Sequence, residues 1–373
     1  MKNRFLLVFS ASIGNGHNQA ARAFIKAWEK NYPLQSQFID FLADATIADK
    51  FSQWSYEFMI QHCPYIYDWL YRISDLPLVG SFLRNWTGFF VKSRIMKQIN
   101  RCTYPPAGLV FTHPTPANAA SMLKKSGKID QPLIGIVTDY AIHQLWIDSG
   151  LDIYVIPHED LKDRLIKAGI PVEKIYPLGI PIDQSFWDRN PQKEIIANKK
   201  LTILIAGGGW GMGPLKETWE ILENHLSTPC QITLITGKNK ALFNEMSPFI
   251  GKGRHELQVV GYTQEIDRYM SEADIFITKA GGLSTSESFA CGTPLLLLPG
   301  RAGQEEDNCR FFDQRGAALF VNNLCDVPSQ VNKIISSPQF KKYLTDSAIA
   351  LGKPKAAIQA AEVVDKLLSV KDL

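Results

Sequence analysis

The sequence predicts an α/β protein of two Rossmann-like domains facing a central cleft. Three observations carry that prediction. Short apolar runs alternate with helical patterns along the whole 373-residue chain, as in βαβ units whose parallel strands are buried on both faces. Two of those runs, at 5–9 and 201–206, lead into a glycine-rich loop and then a helical pattern. A polar stretch, "FWDRNPQKEIIANKK" at 186–200, separates the two sets. The expected domains are therefore 1–185 and 201–373, with 186–200 as the linker, and ligands are expected where strands end in loops.

The first element is "FLLVF" at 5–9. With Lys2 and Arg4 before it, this run imitates a secretory leader, but a leader needs an apolar core of roughly 7–15 residues and a small-residue cleavage site. The run stops at Phe9, and "SASIGNGHNQAARAF" at 10–24 brings two glycines and a histidine, so strand, turn and helix describe it better. Further strands are expected at 108–112, 133–138 and 152–156 in the first half. The second half offers 201–206, 231–236, 256–260, 274–278 and 294–298. The last helical pattern, 355–368, either closes the second domain or crosses back to the first; the sequence does not choose.

Composition narrows the function. Hydrophobic residues are 45% and charged residues 21%, values of a soluble globular chain with a substantial core. A net charge of +3 is too small for nucleic acid as the main partner. No apolar run approaches the roughly 20 residues of a membrane span. Cys63, Cys102, Cys230, Cys291, Cys309 and Cys325 form no C-x-x-C pair, which favours reduced thiols in a cytoplasm. Walker, G-x-S-x-G and H-E-x-x-H motifs are absent, and so is any D-x-D pair that would chelate a metal under a sugar nucleotide. The first loop has Gly14 and Gly16 but no third glycine, and its nearest strand-end acid, Asp40, lies beyond the spacing of about 20 residues in a dinucleotide fingerprint. The second loop, "GGGWGMG" at 207–213, permits close backbone approach to a ligand without matching that fingerprint either.

The chemistry concentrates in 274–310. The strand there ends in Lys279, Ala280, Gly281 and Gly282, and a helix is expected to start around Ser284. Free N–H groups and the dipole at a helix start make an anion site, here with the hydroxyls of Ser284 and Thr285 to assist. Glu287 can accept from a ribose diol. Beyond the next strand, "PGRAGQEEDN" offers Gln304, Glu305, Glu306 and Asn308 to a second hydroxyl-rich group.

These residues resemble the donor half of the inverting lipid glycosyltransferases. That family includes the monogalactosyldiacylglycerol synthases, the bacterial processive diacylglycerol glucosyltransferases and, more distantly, the lipid II synthase of peptidoglycan. The similarity extends through "SIGNGHNQAA" (12–21), "FTHPTPANAA" (111–120), "IVTDYAIHQLW" (136–146), "PLGIPID" (177–183), "GGGWGMGPL" (207–215) and "VVGYT" (259–263). Two departures stand out: Lys279-Ala280-Gly281-Gly282 replaces the usual K-P-G-G, and "SIGNGH" is less glycine-rich than many family loops. Neither removes a polar group.

The resemblance implies a GT-B glycosyltransferase architecture, with UDP-galactose or UDP-glucose held by the second domain and the acceptor by the first. It implies donor contacts from Gly209, Gly261, Tyr262, Thr263, Lys279, Gly281, Gly282, Ser284, Thr285, Glu287, Gln304 and Glu305, and no metal or other cofactor. His17 then becomes the general base, or the group that orients the acceptor hydroxyl; an imidazole with an unperturbed pKa of about 6.5 suits either task. Asp139 is the competing base or positions it. The acceptor oxygen attacks opposite the leaving diphosphate, whose charge the helix start stabilises. Structural readings stand beside these: His17 as a helix-entry residue, Asp139 as a cap, His113 shaping the turn before Pro114, and His143 and Trp146 in core packing instead of an acceptor crevice.

Residues 51–101 carry Trp54, Trp69 and Trp86 with nine further Phe or Tyr, and end with Arg84, Lys92, Arg94, Lys97 and Arg101 without an acid among them. Trp and Tyr favour the headgroup level and cations favour anionic lipid. The expected surface, Trp86, Phe89, Phe90, Lys92 and Arg94, would meet an anionic membrane from the cytoplasmic side and suits diacylglycerol as acceptor. The alternative is a helical subdomain whose aromatics form its own core. The resulting reading is a membrane-associated inverting hexosyltransferase. Its rivals are transfer to a soluble or polyprenyl-linked acceptor, a nucleotide-sugar epimerase on the same scaffold, and a lipid-binding protein with a relic nucleotide site.

Overall fold

The computed structural model describes residues 5–12, 15–32, 35–42, 63–188, 200–299 and 303–370. Most of the linker expected at 186–200, the glycine-loop residues 13–14 and the aromatic residues up to 62, Trp54 included, lie outside them. The chain divides into two compact units, one of residues 1–183, 301–304 and 355–373, the other of 184–300 and 305–354.

The first unit holds strands β1 (Phe5–Ser10), β2 (Gln35–Asp40), β3 (Gly108–Phe111), β4 (Leu133–Ile136), β5 (Ile153–Val155) and β6 (Ile175–Tyr176). They form one parallel sheet in the order β2-β1-β3-β4-β5-β6. Its helices include α1 (Gly16–Asn31), α2 (Pro64–Ser74), α3 (Pro77–Asn100) and α4 (Pro114–Lys125). One face of the sheet is covered by Ala21, Phe24 and Trp28 of α1 together with Ala360, Ala361, Val364 and Leu368 of the C-terminal helix Ala356–Val370. That helix therefore packs in the core of the first unit. Ile95 of α3 and Ala117, Ala120 and Leu123 of α4 cover the other face.

The second unit repeats the scheme with β7 (Leu201–Ala206), β8 (Cys230–Gly237), β9 (Glu256–Gly261), β10 (Ile275–Thr278), β11 (Leu295–Leu297) and β12 (Ala318–Phe320), in the order β12-β11-β10-β7-β8-β9. The helices that matter to the site are α5 (Gly282–Cys291) and α6 (Gln304–Asp313).

All nine strands expected from apolar runs are present. The three that were not expected, β2, β6 and β12, are all sheet edges. An edge strand is paired on one side only and needs no continuous apolar run: β2 reads QSQFID with alternating exposure, β6 has two residues and β12 three. In each sheet the strand order reverses once, between β1 and β3 and between β7 and β10. Loops at the carboxyl ends of the strands part at such a point and leave room for a ligand.

Candidate active site

At the reversal point of the first sheet, the ends of β1, β3 and β4 converge on one histidine. His17 is the second residue of α1 and is half-buried. Its Nδ1 lies 2.8 Å from the Thr112 carbonyl oxygen, after β3, and 2.8 Å from Thr138 Oγ1, after β4. A carbonyl can only accept, so the proton sits on Nδ1 and Nε2 keeps its lone pair. That is the tautomer a general base requires. Burial pushes the His17 pKa below the ordinary imidazole value, while the Asp139 charge and the Thr112 hydrogen bond oppose it. The ring is thus neutral at neutral pH, and the Asp139 carboxylate favours the imidazolium that proton transfer would create. Asp139, expected as competing base or positioning group, acts on His17 through its charge.

The chain just after β1 is held by a residue that the dinucleotide spacing had set aside. Asp40, at the end of β2, accepts from the Ser12 backbone N–H at 3.2 Å and from the Ser12 hydroxyl, and Asn18 Nδ2 donates to that hydroxyl at 2.9 Å. Asp40 therefore ties the chain just after β1 to the end of β2. His113 caps α4, its Nδ1 accepting from the Thr115 N–H at 3.2 Å. His143 caps the short turn at 144–146, and its Nε2 stands 3.1 Å from Ser74 Oγ and 3.3 Å from the Tyr71 carbonyl. Trp146 is buried in the core.

At the reversal point of the second sheet, two glycine-bearing turns follow β7 and β10. The turn after β7 folds over the end of β8: Gly211 has φ +61° and sits against the Thr236 carbonyl, where a Cβ would collide, and the Gly209 carbonyl accepts from the Lys238 N–H at 3.0 Å. Lys238 Nζ lies 5.1 Å from the Trp210 ring and 5.6 Å from the Tyr262 ring, and both aromatics are substantially exposed. Gly261 ends β9 beside Tyr262, and the Thr263 hydroxyl accepts from the Glu265 N–H at 3.0 Å to close the following turn. Trp210 and Lys238 were not singled out from sequence; nothing in a lone Trp or Lys marks it, and only the adjacency of β7, β8 and β9 collects them with Tyr262.

After β10, α5 starts at Gly282, two residues earlier than expected, with Gly281 as N-cap and no capping side chain. The first-turn N–H groups of Gly282, Leu283 and Ser284 thus point out of the helix without intrahelical acceptors. Ser284 is half-exposed beside them, and open space surrounds the Gly281 Cα. Two expectations need correcting here. Thr285 is fully buried, and its hydroxyl donates back to the Gly281 and Gly282 carbonyls at 2.9 and 3.0 Å, so it braces the helix start instead of facing an anion. Asn308 is also fully buried, and its Nδ2 donates to the Ala280 carbonyl at 2.9 Å, which fixes the loop and not a sugar. Lys279 is ion-paired with Glu305, bringing the two strand-end loops together at expected donor residues. Glu287 lies near the middle of α5 and is nearly buried. Gln304 accepts from the Tyr67 hydroxyl at 2.8 Å within the first unit.

On α3, Trp86, Phe89 and Phe90 are exposed and packed on one another, with ring centroids 5.1 Å apart for Trp86–Phe90 and 5.7 Å for Phe89–Phe90. Lys92 Nζ sits 3.7 Å from the centroid of the Phe89 ring, and Arg94 is half-buried. Arg84 belongs elsewhere: it donates to the Ile147 carbonyl and faces Asp148, so it anchors α3 inward.

Residues 17–182 match the family model of monogalactosyldiacylglycerol synthase, and 202–360 match the glycosyltransferase family 28 C-terminal domain. The chain is similar to processive diacylglycerol beta-glucosyltransferases of Bacillus cereus strain B4264 and Bacillus mycoides strain KBAB4. Each is 26% identical, over 99% of this chain and 94% of the relative. Among solved structures, MurG of Acinetobacter baumannii superposes with a TM-score of 0.65 at 16% identity, covering 98% of this chain and 99% of that one. The UDP-GlcNAc 2-epimerase of Neisseria meningitidis bound to UDP-GlcNAc superposes with a TM-score of 0.60 at 14% identity, covering 97% and 100%. These likenesses identify the fold as the GT-B architecture. With these two domain models matched in succession over most of its length, the chain is a glycosyltransferase built of a monogalactosyldiacylglycerol synthase domain followed by a glycosyltransferase family 28 C-terminal domain.

Proposed function

We propose that this glycosyltransferase moves a hexose, galactose or glucose, from its UDP-sugar to diacylglycerol at an anionic membrane surface, with inversion and without a metal in the chemical step. His17 Nε2 takes the proton of the acceptor hydroxyl. The freed oxygen bonds to the anomeric carbon as the bond from that carbon to the diphosphate breaks on the opposite face. The leaving charge falls to the first-turn N–H groups of α5 and to Lys279, and Glu287 holds the ribose. Oriented donors of this kind supply the charge stabilisation for which other sugar transferases use a cation.

The lipid reading is carried by the orientation of α3. Its small residues face inward, Gly80 against Gln144 and Gly88 against Met122, while Leu78, Phe82, Trp86, Phe89 and Phe90 face outward. A helix stabilised only by its own unit would place those residues the other way round. A bulky apolar stripe on the outside, with Lys92 and Lys97 among it, suits a peripheral surface that an amphipathic lipid crosses to reach the base. Among the described residues no helix is long and apolar enough to cross a membrane.

The test is UDP release from UDP-galactose and UDP-glucose, with and without vesicles containing diacylglycerol, the lipid product being read by mass spectrometry. Vesicle-dependent release of one donor with a hexosyl-diacylglycerol product is expected. Release that ignores the vesicles would refute the lipid acceptor. His17→Ala should cost about 10²–10⁴ in turnover and leave UDP affinity unchanged.

A further inference from the structure

The turn between β3 and α4 contributes more to the reacting histidine than the Thr112 carbonyl. Its next residue, His113, lies edge-on to His17, with ring centroids 5.0 Å apart and planes at 81°. Phe41, after β2, also packs on His113, with ring centroids 5.8 Å apart. Because His113 Nδ1 accepts from the Thr115 N–H, its own proton is on Nε2 and the ring is neutral. Both hydrogen bonds to His17 end on one atom, Nδ1. An imidazole held at one nitrogen can still pivot about it, and the base would then sweep its Nε2 through a range of positions. A second ring packed edge-to-face removes that freedom.

We propose that His113 is a positioning residue for the transfer reaction: its ring fixes the plane of His17 while the Thr112 carbonyl fixes its tautomer. The inference rests on the reading of His17 as the base. The chemistry is consistent with the packing. Burial, reinforced by the neighbouring His17, pushes the His113 pKa well below the ordinary imidazole value, so His113 stays neutral while His17 gains its proton. Among the described residues, the charged or titratable groups around His17 are few. Asp139 comes from the end of β4 and His113 from the β3–α4 turn, α1 has no acid in its first turn, and Asp40 at the end of β2 is taken up by Ser12. The second role of His113, capping α4, has to be separated from this one, and residue chemistry allows it: Asn and Asp both cap a helix as well as His does or better.

The experiment compares wild type with His113→Asn and His113→Asp, measuring the pH profile of kcat/KM, thermal stability, and the titration of His17 by imidazole NMR. His113→Asn keeps the cap and loses the ring. We expect kcat to fall about tenfold or more, since small misplacements of a base are costly, with the KM for UDP-sugar and the melting temperature held. His113→Asp keeps the cap and puts a carboxylate beside the imidazole, so the His17 titration and the acidic limb of the profile should move up by about one pH unit. A His113→Asn enzyme with kcat within twofold of wild type, or one whose loss of activity only tracks a loss of melting temperature, would overturn the proposal. So would a His17 titration identical in wild type and His113→Asp. Failure of the base reading looks different: His17→Ala would then turn over normally, while the His17 titration would still move between wild type and His113→Asp.

Discussion

Replacing Phe82, Trp86 and Phe90 together by serine tests the outward face of α3. The three side chains are 67%, 55% and 60% exposed, so roughly half of each remains to be buried by a lipid surface. Complete burial of a large apolar side chain is worth about 1.5–3 kcal/mol, and half of that is about 1 kcal/mol each. Lost from three sites, about 3 kcal/mol corresponds to a weakening of membrane partition by about two orders of magnitude. Flotation with vesicles of phosphatidylglycerol and diacylglycerol measures it directly. Stability should be nearly unchanged, because the residues that dock α3 on its unit, Gly80, Arg84, Gly88 and Ile95, are untouched. Partition equal to wild type would refute the reasoning, and so would a large fall in melting temperature, which would mean the stripe packs within the protein.

Other consequences follow from individual residues. Asp139→Asn removes the charge that favours His17 imidazolium, so the His17 pKa drops further and the acidic limb of kcat/KM should shift about one unit toward lower pH, with a lower plateau; a limb that stays in place or moves up contradicts the assignment. Gly211→Ala introduces a side chain at positive φ and against the Thr236 carbonyl, and should cost about 2 kcal/mol in unfolding experiments and weaken UDP binding as the loop shifts. Acidification should also destabilise the fold through His113. The unfolded chain takes up that proton near the ordinary value of 6.5 while the folded chain resists it, so the unfolded state binds more protons and stability falls as pH drops through 6.5. Melting temperatures between pH 7.5 and 5 check this, and the slope should be shallower in His113→Asn.

The sequence by itself determined the fold class, the glycine-bearing turns after β7 and β10 and nine of the twelve strands. Buried parallel strands advertise themselves as apolar runs, and a glycine that must adopt positive φ or let a backbone approach cannot be replaced by another residue without strain, so both leave local traces. The edge strands β2, β6 and β12 left none, because pairing on one side asks little of the side chains. Tertiary structure alone decided which polar groups face a ligand and which brace the scaffold. Thr285 and Asn308 look like ligand contacts in the sequence and turn out to hold a helix start and a loop; Asp40, set aside for its spacing, anchors Ser12 just after β1. The same holds for His17, whose tautomer follows from a carbonyl 95 positions away along the chain, and for His113, whose ring reaches it only because β1 and β3 are neighbours in the sheet. A hydrogen bond depends on distance and direction between groups that the sheet brings together, and strand order is written in no single stretch of sequence.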